Sequence, residues 1–195
     1  MFDLFQKDCA RAPKTLRPHQ ERAIAQIKQS LGKGNKRIVC QAATGFGKTL
    51  LSAKIIEGAL AKRNGVIFTA PAISLIDQTV NAFEAEGIRD IGVMQANHPR
   101  TDPLAKVQVA SVQTLARREI PPAALVIVDE CHLRAKVIED LMIQRPDVYF
   151  VGLSATPWAR GMGLLWQDMV TPCSIGELIA QGYLSEFRVF APDIP

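Results

Sequence analysis

The chain has 195 residues, of which 48% are hydrophobic and 22% charged, so it can bury a sizeable core and is not a disordered polymer. Its 23 basic and 19 acidic residues leave a net charge of only +4, which permits a polyanionic partner without requiring one. No apolar run approaches the roughly 18 residues of a membrane span, and the charges within Met1-Phe2-Asp3-Leu4-Phe5-Gln6-Lys7-Asp8 interrupt any signal-peptide core, so a cytoplasmic chain with no membrane partner is expected.

In chain order, Arg17-Pro18-His19-Gln20 opens a helix in which Ala23, Ile24, Ile27 and Leu31 recur at helical spacing, with Pro18 in its first turn and Gly32 at its end. A strand at 37–41 runs into a Gly-rich turn, and a helix is expected from 48 to about 63. The alternation then repeats: strand 66–70, helix 74 to about 86, strands 91–94 and 107–110, and a short helix from Val112. Strand 125–129, helix 136–144 and strand 149–154 come next, then an irregular stretch at 160–171, a helix near 174–181 and an extended segment at 187–191. Strands that alternate with helices and read as apolar runs belong to a mostly parallel sheet covered on both faces, a three-layer α/β fold. Cys9, Cys40, Cys131 and Cys173 are far apart and form no Cys-x-x-Cys, so free thiols are expected, with Cys40 a small core residue.

The chemistry is concentrated in two segments. Ala43-Thr44-Gly45-Phe46-Gly47-Lys48-Thr49 joins a strand to a helix, and a Gly-rich turn ending in Lys-Thr there directs backbone N–H groups, the helix dipole and an ammonium at polyphosphate. The N–H groups of Gly45, Phe46, Gly47, Lys48 and Thr49 would cradle the anion, with Thr44 also against the nucleotide, Lys48 on the β- and γ-phosphates of ATP and the Thr49 hydroxyl on Mg²⁺. The generic loop has glycine five residues before Gly47, where this chain has Ala42. About eighty residues later, Val126-Ile127-Val128-Asp129-Glu130-Cys131-His132 ends an apolar strand with two acids. Asp129 would hold Mg²⁺ and Glu130 would orient or deprotonate the attacking water, because a hard cation needs anionic oxygen and hydrolysis needs an acceptor beside the nucleophile. Ala42–Thr49, Ala70-Pro71, Ser111, Asp129-Glu130 and Ser154-Ala155-Thr156 all fall at predicted strand ends, the ligand edge of an open parallel sheet. Taken alone, Gln20 reads as a surface helix residue, His132 as a candidate coupling residue or a satisfied structural one, and Ser111 as turn or N-cap chemistry.

Taken in order, these segments resemble the first RecA-like motor domain of a superfamily 2 helicase of the DExH type. Leu16–Gln20 is similar to the adenine-recognising segment, Ala43–Thr49 to motif I, and Thr69-Ala70-Pro71 through Leu75 and Gln78 to motif Ia. Val109–Leu115 is similar to the next nucleic-acid segment, Asp129–His132 to motif II and Ser154-Ala155-Thr156-Pro157 to motif III. The resemblance implies that Arg17 and Gln20 lie on the adenine side, that His132, Ser154 and Thr156 couple hydrolysis to strand movement, and that Pro71, Ala72, Ser111, Gln113 and Thr114 lie near a nucleic-acid backbone. It also implies a RecA-like P-loop domain over residues 1–184, with 185–195 starting towards a second RecA-like domain that supplies arginine fingers. Without such a finger, worth on the order of 10³ to 10⁵ in rate, the first domain should bind ATP and hydrolyse it very slowly. DNA is favoured over RNA as partner. Three other readings stay open: a duplex translocase of a restriction or repair complex, a nucleic-acid-binding module without ATP turnover, and a small-molecule P-loop kinase.

Overall fold

The computed structural model describes residues 14–95 and 97–186, so the expectations for Met1–Asp8, Cys9 and the segment 187–191 lie outside it. The first strand, β1 (Arg37–Gln41), comes after helix α1 (Pro18–Gly32) and leads into α2 (Lys48–Leu60). Next come β2 (Val66–Ala70), α3 (Ile76–Ala85), β3 (Ile91–Met94), β4 (Val107–Ser111) and the single turn α4 (Val112–Leu115). Strand β5 (Leu125–Asp129), helix α5 (Lys136–Gln144), β6 (Tyr149–Ser154), β7 (Asp168–Val170) and α6 (Ile175–Ala180) complete the order, with 3-10 turns at Ile73–Leu75, Cys131–Leu133 and Met162–Leu164.

All seven strands lie in one parallel sheet of order β3-β4-β2-β5-β6-β1-β7. Because side chains alternate along a strand, Ile38 and Cys40 of β1 face one layer and Val39 the other. The first layer packs Ala23 and Ile27 of α1, Leu51 and Ile56 of α2, Val80 and Phe83 of α3, and Leu178 of α6. The second packs Leu115 of α4, Ile138, Leu141 and Met142 of α5, and Met162. Burial on both sides leaves β2 and β4 without an exposed residue, which is why their sequences are mostly apolar, with Thr69, Gln108 and Ser111 as buried polar exceptions.

Three expectations change. Helix α2 ends at Leu60, because the chain turns through Ala61 and Lys62 and Arg63 takes a left-handed conformation (φ 60°). The stretch at 160–171, expected to be irregular, contains β7, which pairs with β1 and is tied to α1 where the Ser30 hydroxyl donates to Asp168. Ser111 belongs to its strand and then caps α4, its hydroxyl accepting the Thr114 N–H at 3.1 Å. Cys40 is buried, as expected of a core thiol, and Cys40, Cys131 and Cys173 are all free. Among the described residues no helix is long and apolar enough to cross a membrane.

Candidate nucleotide site

Five of the parallel strands, β1, β2, β4, β5 and β6, end at the segments singled out in the sequence, so these segments share one edge of the sheet. Strands β1 and β5 are not neighbours; β6 runs between them and brings Ser154 into register with Gln41. The phosphate-loop strand and the acid-bearing strand therefore flank the Ser-Ala-Thr segment.

Gly47 forms the N-cap of α2 with φ 85° and ψ 46°, a conformation that a Cβ resists, and Gly45 has φ 79°. The helix that starts there has 13 residues, and its first N–H groups have no intrahelical acceptor, so the helix start favours an anion. Thr44, Gly45 and Thr49 are exposed, and Lys48 is partly so. The Lys48 ammonium pairs with Glu130 Oε1 and lies 3.8 Å from Asp129 Oδ1. The loop and the acids thus converge on one point, although their strands are not adjacent.

Burial raises the Asp129 carboxyl above the ordinary carboxylate range, against the attraction of Lys48 and with some help from the Glu130 charge. Glu130 sits in the left-handed region at φ 49°, as β5 breaks into the 3-10 turn at Cys131–Leu133. Cys131 points into the core beside Gly152, and burial pushes its thiol up to about 12. His132 points outward, with Nδ1 2.8 Å from the Ser154 hydroxyl and 3.4 Å from Glu130 Oε2. Since Ser154 Oγ already accepts the Thr156 N–H at 3.0 Å, its own hydrogen remains for His132 Nδ1. His132, Ser154 and Thr156 are therefore joined to one another and to the acid pair.

Two loop assignments are corrected. The Phe46 side chain is a core residue with 0% exposure, and its N–H turns back to the Ala43 carbonyl at 3.0 Å, so Phe46 offers phosphate neither side chain nor N–H. Gln20 is not on the surface. It is the N3 residue of α1, and its Oε1 accepts the Arg17 N–H at 2.9 Å, one half of a capping box. Its Nε2 donates to the Phe46 and Gly47 carbonyls at 3.0 and 3.1 Å, which fixes the loop. Sequence reasoning missed His19 altogether. It is fully buried between Phe46 and Tyr183, with Nε2 3.0 Å from the Phe46 carbonyl, and burial holds its imidazole below the ordinary histidine value. Its signal was only its place beside Gln20.

The residues expected near nucleic acid fall into two groups. Gln113 is exposed and reaches the Pro71 carbonyl at 3.5 Å, and Pro71 and Ala72 are half-buried at the end of β2. Ser111 is fully buried and Thr114 is half-buried, and their hydroxyls bond each other at 2.9 Å, so the capping of α4 engages both. A cavity of about 320 Å³ lies on the α5 side of the acids, between Pro71, Gln113, Arg134, Met142 and Trp166. Asp129 and Glu130 also line it while no phosphate-loop residue does, so it adjoins the acid side of the nucleotide site.

No cluster of three or more His, Cys, Asp and Glu among the described residues forms a metal site by itself. The donors present, the Thr49 hydroxyl and the Asp129 carboxylate, are hard oxygens of the kind that share Mg²⁺ with phosphate, so the residues fit that ion as part of a nucleotide complex.

The family described as type III restriction enzyme, res subunit, matches residues 13–159. The chain belongs to this family. Similar chains include the type I restriction enzyme EcoAI endonuclease subunit of Escherichia coli, 28% identical over 93% of this chain and 24% of that subunit. The replication restart protein PriA of Chlamydia pneumoniae is 32% identical over 62% of this chain and 18% of its own length. The chain thus spans a quarter or less of these curated relatives. In fold, the res-subunit domain superposes on the UvsW helicase of bacteriophage T4 with a TM-score of 0.68 at 19% identity, covering 83% of this chain and 62% of that one. The seven-stranded parallel sheet flanked by helices is thus a RecA-like fold, shared with that helicase.

Proposed function

We propose that this res-family domain binds ATP with Mg²⁺ and couples its hydrolysis to movement on nucleic acid. The observation that carries the reading is the convergence of Lys48, from the start of α2, on Asp129 and Glu130 at the end of β5. In this reading Lys48 exchanges its carboxylate partners for the β- and γ-phosphates, while the N–H groups at the start of α2 hold the oxygens between them. Thr49 and Asp129 hold the metal, which supplies charge neutralisation at the transferred phosphoryl group. Glu130 orients the attacking water and accepts its proton. His132 and Ser154 carry the state of that site to the Ser-Ala-Thr segment, beside which Pro71, Ala72 and Gln113 face the strand; Ser111 and Thr114 shape the turn that presents them.

A restriction-enzyme subunit and a replication restart protein among the similar chains support DNA as the partner, while an exosome RNA helicase of Homo sapiens, also similar, supports RNA; we favour DNA, in a cytoplasmic setting. The unit extends to residue 184, and residues 185–195 lead towards a second RecA-like domain that completes the catalytic site. The test is ATPase activity of the full-length protein with and without DNA. Lys48→Ala should remove nucleotide binding, and Glu130→Gln should bind nucleotide without turnover; unchanged activity in both refutes the reading. Strand-displacement and triplex-displacement assays separate unwinding from duplex translocation.

A further inference from the structure

The cavity of about 320 Å³ beside the acids has no part in the function proposed above. Its floor is apolar, with Met142 and Met162 buried and the indole of Trp166 half-buried against Gly152. The exposed lining residues, Gln113, Leu133 and Arg134, form its mouth. Three carboxylates line it, Asp129, Glu130 and Glu139, and each has a cation: Lys48 lies against the first two, and Arg134 Nε donates to Glu139 at 2.6 Å. A phosphate inside would meet an excess of carboxylate, and an added cation would find the acids already paired. The lining favours a flat, uncharged ring held by thioethers and an indole. The volume is at the lower end of the roughly 300–1,000 Å³ of small-ligand pockets, that of one small ring system. Arg134 is held at the mouth under strain, with φ 36°, in the left-handed region that non-glycine residues avoid. Its Nη1 donates to the Arg160 carbonyl at 2.7 Å and lies 2.7 Å from where a Cβ on Gly161 would be, so the guanidinium needs a glycine there.

We propose that this cavity receives one unstacked base of single-stranded DNA, with Trp166 against the ring and the exposed Arg134 guanidinium on the adjoining phosphate, outside the mouth. The proposal rests on the reading of this domain as a nucleic-acid motor and adds a base-binding site to it. A paired base would first have to be extruded from its duplex, an unpairing cost that a single strand does not carry. The site therefore selects single strands. Stacking on an indole is tolerant of base identity, so no sequence preference results. A base seated there lies against the wall that carries Asp129 and Glu130, so the strand and the hydrolytic acids share one wall.

The chain has two tryptophans, Trp158 and Trp166, so Trp158→Phe leaves the emission of Trp166 alone. In that background the full chain is titrated with a single-stranded thymidine oligonucleotide and with an abasic deoxyribose-phosphate strand of the same length, while the anisotropy of a dye on the strand reports binding. The thymidine strand should quench Trp166 and bind about tenfold more tightly than the abasic strand, which should leave Trp166 unchanged. Ala135, half-buried in the lining, caps α5 with no side-chain bond, and its φ of −112° and ψ of 124° are an extended conformation that phenylalanine adopts. Ala135→Phe should fill the cavity, abolish the quenching and bring the thymidine strand to the affinity of the abasic one without changing the latter. Binding of the thymidine strand with no response from Trp166 would overturn the proposal, as would equal weakening of both strands in Ala135→Phe. Should that variant not fold, the Trp166 response of the unfilled cavity decides alone. If neither strand binds at low salt, the nucleic-acid reading fails and takes this proposal with it.

Discussion

Replacing Gly47 with alanine tests the link between α1 and the phosphate loop. Two costs can be read from the structure. At φ 85° an alanine pays the left-handed penalty of about 1–2 kcal/mol. Its Cβ would also clash with Gln20 Nε2, so the amide must swing away and release its two bonds to the loop carbonyls, at about 1 kcal/mol each. Gly47→Ala should therefore lower stability by about 3–4 kcal/mol. In a Gln20→Ala background the clash and the two bonds are already gone, and only the backbone penalty of about 1–2 kcal/mol remains. The two substitutions should thus be non-additive by about 2 kcal/mol in a double-mutant cycle. Urea unfolding at 25 °C, with tryptophan fluorescence as the signal and linear extrapolation, gives all four stabilities. Costs that add to within about 0.5 kcal/mol would refute the claim that Gln20 and Gly47 form one unit.

The charge arrangement predicts that Asp129→Asn raises the melting temperature by a few degrees while abolishing hydrolysis, because burial disfavours the charged carboxylate in the folded chain. A folded value above the unfolded one penalises wild type at neutral pH, so the gap between the two melting curves should close as pH falls towards about 4, the ordinary aspartate value. A gap that widens on acidification contradicts the assignment. Ser154→Ala removes the bonds to His132 and Thr156 and should cost about 1–2 kcal/mol, leaving nucleotide affinity unchanged while DNA-stimulated ATPase falls; equal loss of nucleotide binding would show that the link is not between hydrolysis and strand. Burial pushes the Cys40 and Cys131 thiols up to about 12, so among the described cysteines iodoacetamide at pH 8 should leave both unmodified in the native chain and react with Cys173 ahead of them, as mass spectrometry of digests would show.

Most strands were legible because burial on both faces writes itself as an apolar run, and β1, β2, β3, β5 and β6 have the bounds that composition suggests. Strand β7 was hidden because Asp168-Met169-Val170 is too short to show a period, and its place depends on β1 and on the contact of Asp168 with Ser30. At the candidate site, the residues that carry charge were visible as motifs, and their convergence resulted from lying at strand ends. The inner support of the loop was not visible. Gln20 and His19 look like ordinary polar residues at a helix start, and only tertiary packing turns them inward against the Phe46 carbonyl. Tyr183 and Leu184 close over the same loop from the far end of the chain, where Leu184 Cδ2 lies 2.5 Å from where a Cβ on Gly45 would be, and no local pattern announces such a contact.

The position of β1 also bears on how the chain reaches its native state. Its hydrogen-bonded neighbours are β6 and β7, with Arg37 opposite Phe150 and Ile38 opposite Asp168. During synthesis the strand that carries the phosphate loop emerges long before either partner, and it has no sheet neighbour until nearly the whole domain has been made. Until then both of its edges are open to pairing with other chains, the hazard that parallel sheets with distant partners bring. Nucleotide capture during refolding would accordingly be a late event, and ATP added early would report when β6 has slipped between β1 and β5.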